Sequence, residues 1–271
     1  MRPSILKLLN PDIIVEMLEM ACRLEDWDKM LNTAGILYNF AQCIYEERQY
    51  HKAKGLPVPL VDTQRPLVYY FGFSHLMQGI AYQKQQKYDE AKETIYRYAE
   101  LGWMEELGGE GEEIAEEFRY LARANLYIVE ILSGRMEFLE GYTQFLQDNP
   151  EELLPGLGTI VQAAVNYRLD VDDLLHRFAE QSAGFGDYED ADNLSHYFSY
   201  CYHLALYHRR AGRLQEGLDW TMQSLRLAHQ SKHDGNFKRC LALFEALREG
   251  MTDEQAGGYH GLLQECLGQI V

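Results

Sequence analysis

Proline and cysteine are scarce in this chain of 271 residues, which holds seven Pro and five Cys. Few prolines leave long stretches free to run as helix. Cys22, Cys43, Cys201, Cys240 and Cys266 are odd in number and contain no CxxC pair, which argues against a zinc ribbon and against a disulfide framework. Several stand among apolar residues, where a free thiol acts as a small hydrophobe in a reducing cytoplasm. No stretch approaches the ~18 apolar residues of a membrane span, and Met1 to Lys7 lacks the apolar core of a signal peptide. Positive charge is also in short supply: 25 Lys and Arg face 42 Asp and Glu, a net charge of −17. Such a chain repels a phosphate backbone and an anionic membrane, so neither nucleic acid nor membrane is expected as a direct partner. The excess acid either solvates helix faces or favours a basic partner.

Catalytic signatures are missing as well. There is no Walker loop, GxSxG, HExxH or dinucleotide fingerprint. His229, His233 and Asp234 read as a surface coincidence rather than a metal site, and Asp173 with His176 has no nucleophile motif nearby. Glu112, Glu113, Glu116 and Glu117 lack the Glu-x-x-His of a di-iron bundle and read as a solvated face. No catalytic residue, metal or cofactor is assigned, and the chain is not expected to be an enzyme.

What the chain does carry is aromatic residues, 12% of the total with 19 Tyr, and a returning helical-hairpin signature. Its clearest copy runs from His75 to Tyr98. Gly79 and Tyr82 lie on one helix, Gln85-Gln86-Lys87 makes a polar turn, and Tyr88, Ala91, Ile95 and Tyr98 lie on the next. Small residues facing large ones let two antiparallel helices nest. Lys87-Tyr88-Asp89-Glu90-Ala91 superposes on Arg213-Leu214-Gln215-Glu216-Gly217, with Gly79 matching Ala205. Asp26-Trp27-Asp28 and Arg135-Met136-Glu137 occupy the same turn position in weaker copies. A lone hairpin cannot bury both apolar faces, so stacked neighbours are needed. The pattern predicts an all-α chain and one helical-repeat domain over 1–271, with hairpins at 11–52, 65–102, 112–148, 155–182, 194–230 and 235–270. Long loops are expected at 54–64 and 183–192, and a Gly-rich break at 107–111.

His75 to Ala99 resembles a tetratricopeptide repeat, with Gly79, Tyr82, Ala91 and Ile95 at signature positions; Leu204 to Ser224 is a looser copy with His208 where Tyr is usual. The resemblance implies a right-handed α-solenoid. More narrowly, the runs 65–72 (RPLVYYFG), 80–83 (IAYQ) and 149–156 (NPEELLPG) resemble the C-terminal repeat region of helix-turn-helix regulators of Gram-positive bacteria. These are similar to the peptide-sensing quorum family of Rap phosphatases and PlcR-type activators. The resemblance implies repeats that cradle a short peptide and gate DNA binding or a partner protein. The sequence starts within the repeats, so DNA binding is not expected of this stretch by itself.

In stacked hairpins the first helix of each pair lines the concave face. The positions six, three and two before the small signature residue and one after it select Phe73, Leu76, Met77 and Ile80; Leu121, Ala124, Asn125 and Ile128; and Ser199, Tyr202, His203 and Leu206. Glu16 and Glu19 would make one end of the groove acidic. Phe73, Met77, Ile80, Asn125, Ile128, Tyr202, His203 and Leu206 are the candidate ligand-binding set. Asn125 interrupts the apolar stripe Phe118, Leu121, Ile128, Leu132, and its amide would either hold a peptide backbone or bond a neighbouring helix. His203 would contact a peptide or join a wet helix interface. The groove positions hold no Lys to clamp a carboxylate, so a peptide with a basic or apolar residue fits best. The leading expectation is a cytoplasmic, regulatory peptide- or protein-binding sensor. Its rivals are a dimerisation scaffold built on the Tyr-rich helices and a Rap-like modulator of a response-regulator domain.

Overall fold

The computed structural model describes residues 10–58, 63–105, 107–231 and 233–268, with side chains to 265. Among these residues every regular element is helical, with thirteen α-helices and no strand. Several helix starts coincide with local punctuation. Asn10 accepts a hydrogen bond from the Asp12 N–H at 2.8 Å ahead of Pro11, opening α1 (Pro11–Arg23). Asp26 accepts from the Lys29 N–H at 3.1 Å and opens α2 (Trp27–Ala53). Pro66 precedes α3 (Leu67–Lys84), followed by α4 (Tyr88–Ala99) and α5 (Gly108–Leu132). A 3-10 turn at Met136–Phe138 leads into α6 (Leu139–Asp148), and α7 spans Leu153–Tyr167. Two short helices, α8 (Asp172–Arg177) and α9 (Ala179–Ser182), precede α10 (Ala191–Arg210), α11 (Leu214–Gln230), α12 (Asp234–Leu247) and α13 (Asp253–Gly268).

Within the single repeat region expected over 1–271, the chain divides into two compact units, Met1–Ser133 and Gly134–Val271. The hairpin drawn at 112–148 therefore has α5 in one unit and α6 in the other. In the first unit each helix packs on the next, and α1, α3 and α5 also touch in sequence. They form one row, with α2 and α4 lying over the joints. The core between the rows holds Leu18, Met30, Leu37, Phe40, Tyr70, Phe71, Ile95 and Tyr98. In the second unit α7 packs on α10, α10 on α11, and α11 on both α12 and α13. Leu218, Leu225, Cys240 and Phe244 are fully enclosed there.

The repeat shows in the turns. Glu25, Gln86, Gly134 and Gly212 each take a left-handed backbone (φ +54, +61, +92 and +76°) directly before Asp26, Lys87, Arg135 and Arg213. At three of these turns the next N–H bonds the carbonyl five residues back: Asp26 to Ala21, Lys87 to Tyr82 and Arg213 to His208, at 3.0, 2.8 and 2.9 Å. That is a Schellman closure reached by different sequences. The small residues meet as the superposition requires. A Cβ on Gly79 would stand 2.9 Å from the Thr94 Oγ1 and 3.8 Å from the Ala91 carbonyl oxygen, and one on Gly217 would stand 3.4 Å from that of Ala205.

Three local expectations are corrected. The Gly-rich stretch expected as a break starts α5 at Gly108, whose φ of +66° makes the entry turn. The helix expected from Val171 to Gln181 breaks at Phe178, which buries its ring and leaves two helices too short to cover α7; α10 covers it instead. The loop expected at 183–192 opens with a 3-10 turn, Ala183–Asp187, and ends where Asp190 caps α10 by accepting from the Asn193 N–H at 2.9 Å. The loop at 54–64 falls partly outside the described residues.

Candidate binding face

The row α1–α3–α5 exposes the flanks of side chains whose far sides belong to the core. On α3, Tyr69 stacks on Phe73 with centroids 5.3 Å apart, the Arg65 guanidinium lies 4.2 Å from the Tyr69 ring centroid, and Phe118 of α5 approaches Tyr69 to 6.2 Å. Tyr69, Phe73, Leu76, Ile80 and Leu121 are all half-buried against one core. Gly72 lets α5 come close, because a Cβ there would overlap the Phe118 ring. The Tyr70 hydroxyl donates to the Asp12 carboxylate at 2.5 Å and fastens α1 to α3. Burial raises the Tyr69 phenol above its ordinary pKa, Arg65 opposes this, and Glu19 and Asp12 add to it. Those two carboxylates thus stand within electrostatic reach of the aromatic row, at the end expected to be acidic.

Not all of the candidates face outward. Met77 and Ala124 are buried and serve the packing. Asn125 is half-buried, and its amide donates to the hydroxyl of Tyr98 on α4 at 3.0 Å. The neighbouring-helix bond is therefore the one observed. Tyr98 is fully buried, and that burial raises its pKa while the bond from Asn125 opposes the rise. Ile128 is half-buried on the same helix.

Tyr202, His203 and Leu206 lie in the second unit on α10, all half-buried. Tyr202 stacks on Phe198 with centroids 6.1 Å apart, and Leu206 packs on that unit's core. His203 Nδ1 lies 2.8 Å from the Ser199 carbonyl oxygen, which accepts only if Nδ1 carries the proton. Nearby, Arg213 grips Asp172 with two hydrogen bonds of 2.5 and 2.9 Å, and the Tyr207 hydroxyl donates to the same carboxylate at 2.9 Å. Arg213 holds the Asp172 carboxyl below its usual range. This cluster ties the start of α8 to the α10–α11 turn.

Residue-by-residue reading overlooked a hollow of about 270 Å³ between α2, α3 and the end of α4, lined by Tyr38, Phe71, His75, Arg97, Glu100 and Trp103. Trp103 meets Phe71 and Tyr45 edge-on at 5.5 and 5.3 Å, and Tyr38 lies 5.0 Å from the His75 ring. Burial lowers His75 from 6.5 to about 4 against the opposing hydrogen bond to the Gln78 side-chain oxygen, so the ring is neutral at pH 7. Its signal was the aromatic excess, but no spacing rule joins Trp103 to His75 across a helix end. The acidic run Glu112, Glu113, Glu116 and Glu117 borders a broad open hollow and stays at the surface, with Glu116 paired to Arg119.

His233 accepts the Asn236 N–H at 3.2 Å as the cap of α12, and His229 lies against Phe237. Among the described residues no three His, Cys, Asp or Glu side chains are grouped to hold a metal ion, and no helix is long and apolar enough to cross a membrane. Burial pushes the Cys201 and Cys240 thiols up to about 12, which makes both unreactive at neutral pH. No family model, curated protein or solved structure matches the chain.

Proposed function

We propose that the chain is a peptide- or protein-binding helical-repeat sensor that holds a short extended segment along the α1–α3–α5 row. In this reading the hairpins stack in the right-handed, tetratricopeptide-like sense, the protein works in the cytoplasm as a regulator, and no catalytic step is assigned to it. The observation that carries the proposal is the half-buried row Tyr69, Phe73, Leu76, Ile80 on α3, continued by Leu121 on α5. Rigid aromatic and aliphatic flanks of this kind anchor apolar side chains at low entropic cost. Asp12, Glu16 and Glu19 on α1 would select a basic residue at one end. Asn125 acts here through Tyr98, holding α4 against α5 and so fixing the spacing of the row.

A pool of random heptapeptides equilibrated with the purified protein, with retained peptides read by mass spectrometry, tests the reading. Wild type should enrich peptides with an apolar residue and a Lys or Arg, and Phe73→Glu should lose that enrichment while keeping wild-type helicity. No enrichment, or the same enrichment by Phe73→Glu, would sink it.

A further inference from the structure

Helix α1 carries two apolar stripes. Ile14, Leu18 and Ala21 enter the core, whereas Ile13, Met17, Met20 and Leu24 stand 54, 44, 58 and 68% exposed. At ~100° per residue these four fall within an arc of about 60°, beside the buried stripe. Their spacing of four, three and four is that of the core seam of a two-stranded coiled coil. Terminal elements of helical arrays ordinarily present a polar outer face. This one sets an exposed apolar stripe beside the charged side chains of Glu16, Glu19 and Arg23.

The charges beside the stripe indicate what covers it. Glu16 and Arg23 are both exposed and lie two turns apart on the same edge. If a second copy of α1 is laid antiparallel, with the two-fold axis between Met17 and Met20, then Met17 meets Met20 of the second copy and Ile13 meets its Leu24. Glu16 then faces Arg23 of the second copy, and the symmetry repeats the pair. A parallel arrangement would turn the Glu16–Arg23 edge of each copy towards the Ile14–Ala21 edge of the other, which is buried in its own core, and would form no such pair. The face is complementary to itself in one orientation, as an isologous contact requires.

We infer that the outer face of α1 is a homodimer interface, formed by antiparallel pairing of Ile13, Met17, Met20 and Leu24 and registered by reciprocal Glu16–Arg23 pairs. Four apolar side chains per copy cover less than the ~800 Å² per partner of a standard interface, so the dimer is a weak one. The interface leaves Phe73 and Ile80 uncovered and shares only Glu16 with the peptide reading, so Met17→Glu tests it apart from that reading.

Sedimentation velocity from micromolar to several hundred micromolar protein tests this, with circular dichroism confirming that each variant is folded. Wild type should shift from monomer to dimer with concentration, and Met17→Glu should remain monomeric. Glu16→Arg and Arg23→Glu should each weaken the dimer about tenfold or more, and the double variant Glu16→Arg/Arg23→Glu should restore it. A wild-type monomer throughout, a dimer indifferent to Met17→Glu, or a double variant no better than the singles would overturn the inference. So would a monomer that dimerises only once residues 1–9 are removed, because Ile5, Leu6, Leu8 and Leu9 of the chain itself would then be the cover.

Discussion

His75 gives the protein a pH dependence with a definite sign. Its folded-state pKa of about 4 lies below the ordinary 6.5, so between these values the unfolded chain binds the proton and the folded chain does not. Stability supplied by the neutral, buried ring is complete above pH 6.5 and drains away as pH falls towards 4. Between pH 7 and pH 5 the loss is roughly 2 kcal/mol. Urea denaturation at the two pH values should show that loss in wild type, and His75→Gln should remove about that much of it. An unchanged slope would mean the ring titrates normally. A second residue-scale prediction concerns Lys92 on α4 and Glu130 on α5, which meet at 2.7 Å with both side chains about nine-tenths covered. Removing one partner leaves a buried charge. Lys92→Met should cost about 3–5 kcal/mol, and Lys92→Met/Glu130→Leu should recover most of it. A double variant as unstable as the single would show that shape, not charge, sets the cost. Neither prediction was open to the sequence alone. His75 was visible only as the first residue of the best repeat copy, and Lys92 and Glu130 stand 38 positions apart on different helices.

At the scale of the element, the turns decide where helices end. Gln86 holds the left-handed conformation that Gly134 and Gly212 adopt at equivalent places, and a side chain costs about 1 kcal/mol there. Gln86→Gly should therefore raise stability by a few tenths to about 1 kcal/mol, and Gly212→Val should lower it by about 1 kcal/mol or more. Thermal melts of the two variants moving in the same direction would contradict the shared geometry. These turns were legible because their constraint is local: a polar residue after the turn, a bulky one starting the next helix and a small one three positions on. The break at Phe178 was not. Nothing between Val171 and Gln181 forbids a continuous helix, and the burial of Phe178 at the break leaves no mark in the local sequence. Gly108 misled for a related reason, since a glycine that ends one helix and a glycine that enters another look alike in sequence.

At the scale of the molecule, the all-helical architecture followed from periodicity and scarce proline, whereas the candidate face was legible only in part. Counting from the small signature residue found Phe73, Leu76 and Ile80, which are half-buried, but it also selected Met77 and Ala124, which are not open to a ligand. A helix face about 100° wide always includes flanking positions that turn inward, and their burial is set by the adjacent helices. Asn125 stood out correctly as a polar residue on an apolar stripe, yet its partner Tyr98 lies 27 residues away and could not be named. Tyr202, His203 and Leu206 belong to the second unit, so their part in binding is tested separately from that of the α3 row.

The central claim is that the α3 row is where a peptide sits, and fluorescence anisotropy measures it most directly. A labelled heptapeptide enriched by the wild-type protein would be titrated with wild type, with Phe73→Glu, and with Tyr96→Glu, which alters an exposed aromatic on α4 outside the row. The account predicts at least a tenfold loss of affinity in Phe73→Glu and an unchanged affinity in Tyr96→Glu. Equal affinity in all three proteins would contradict it.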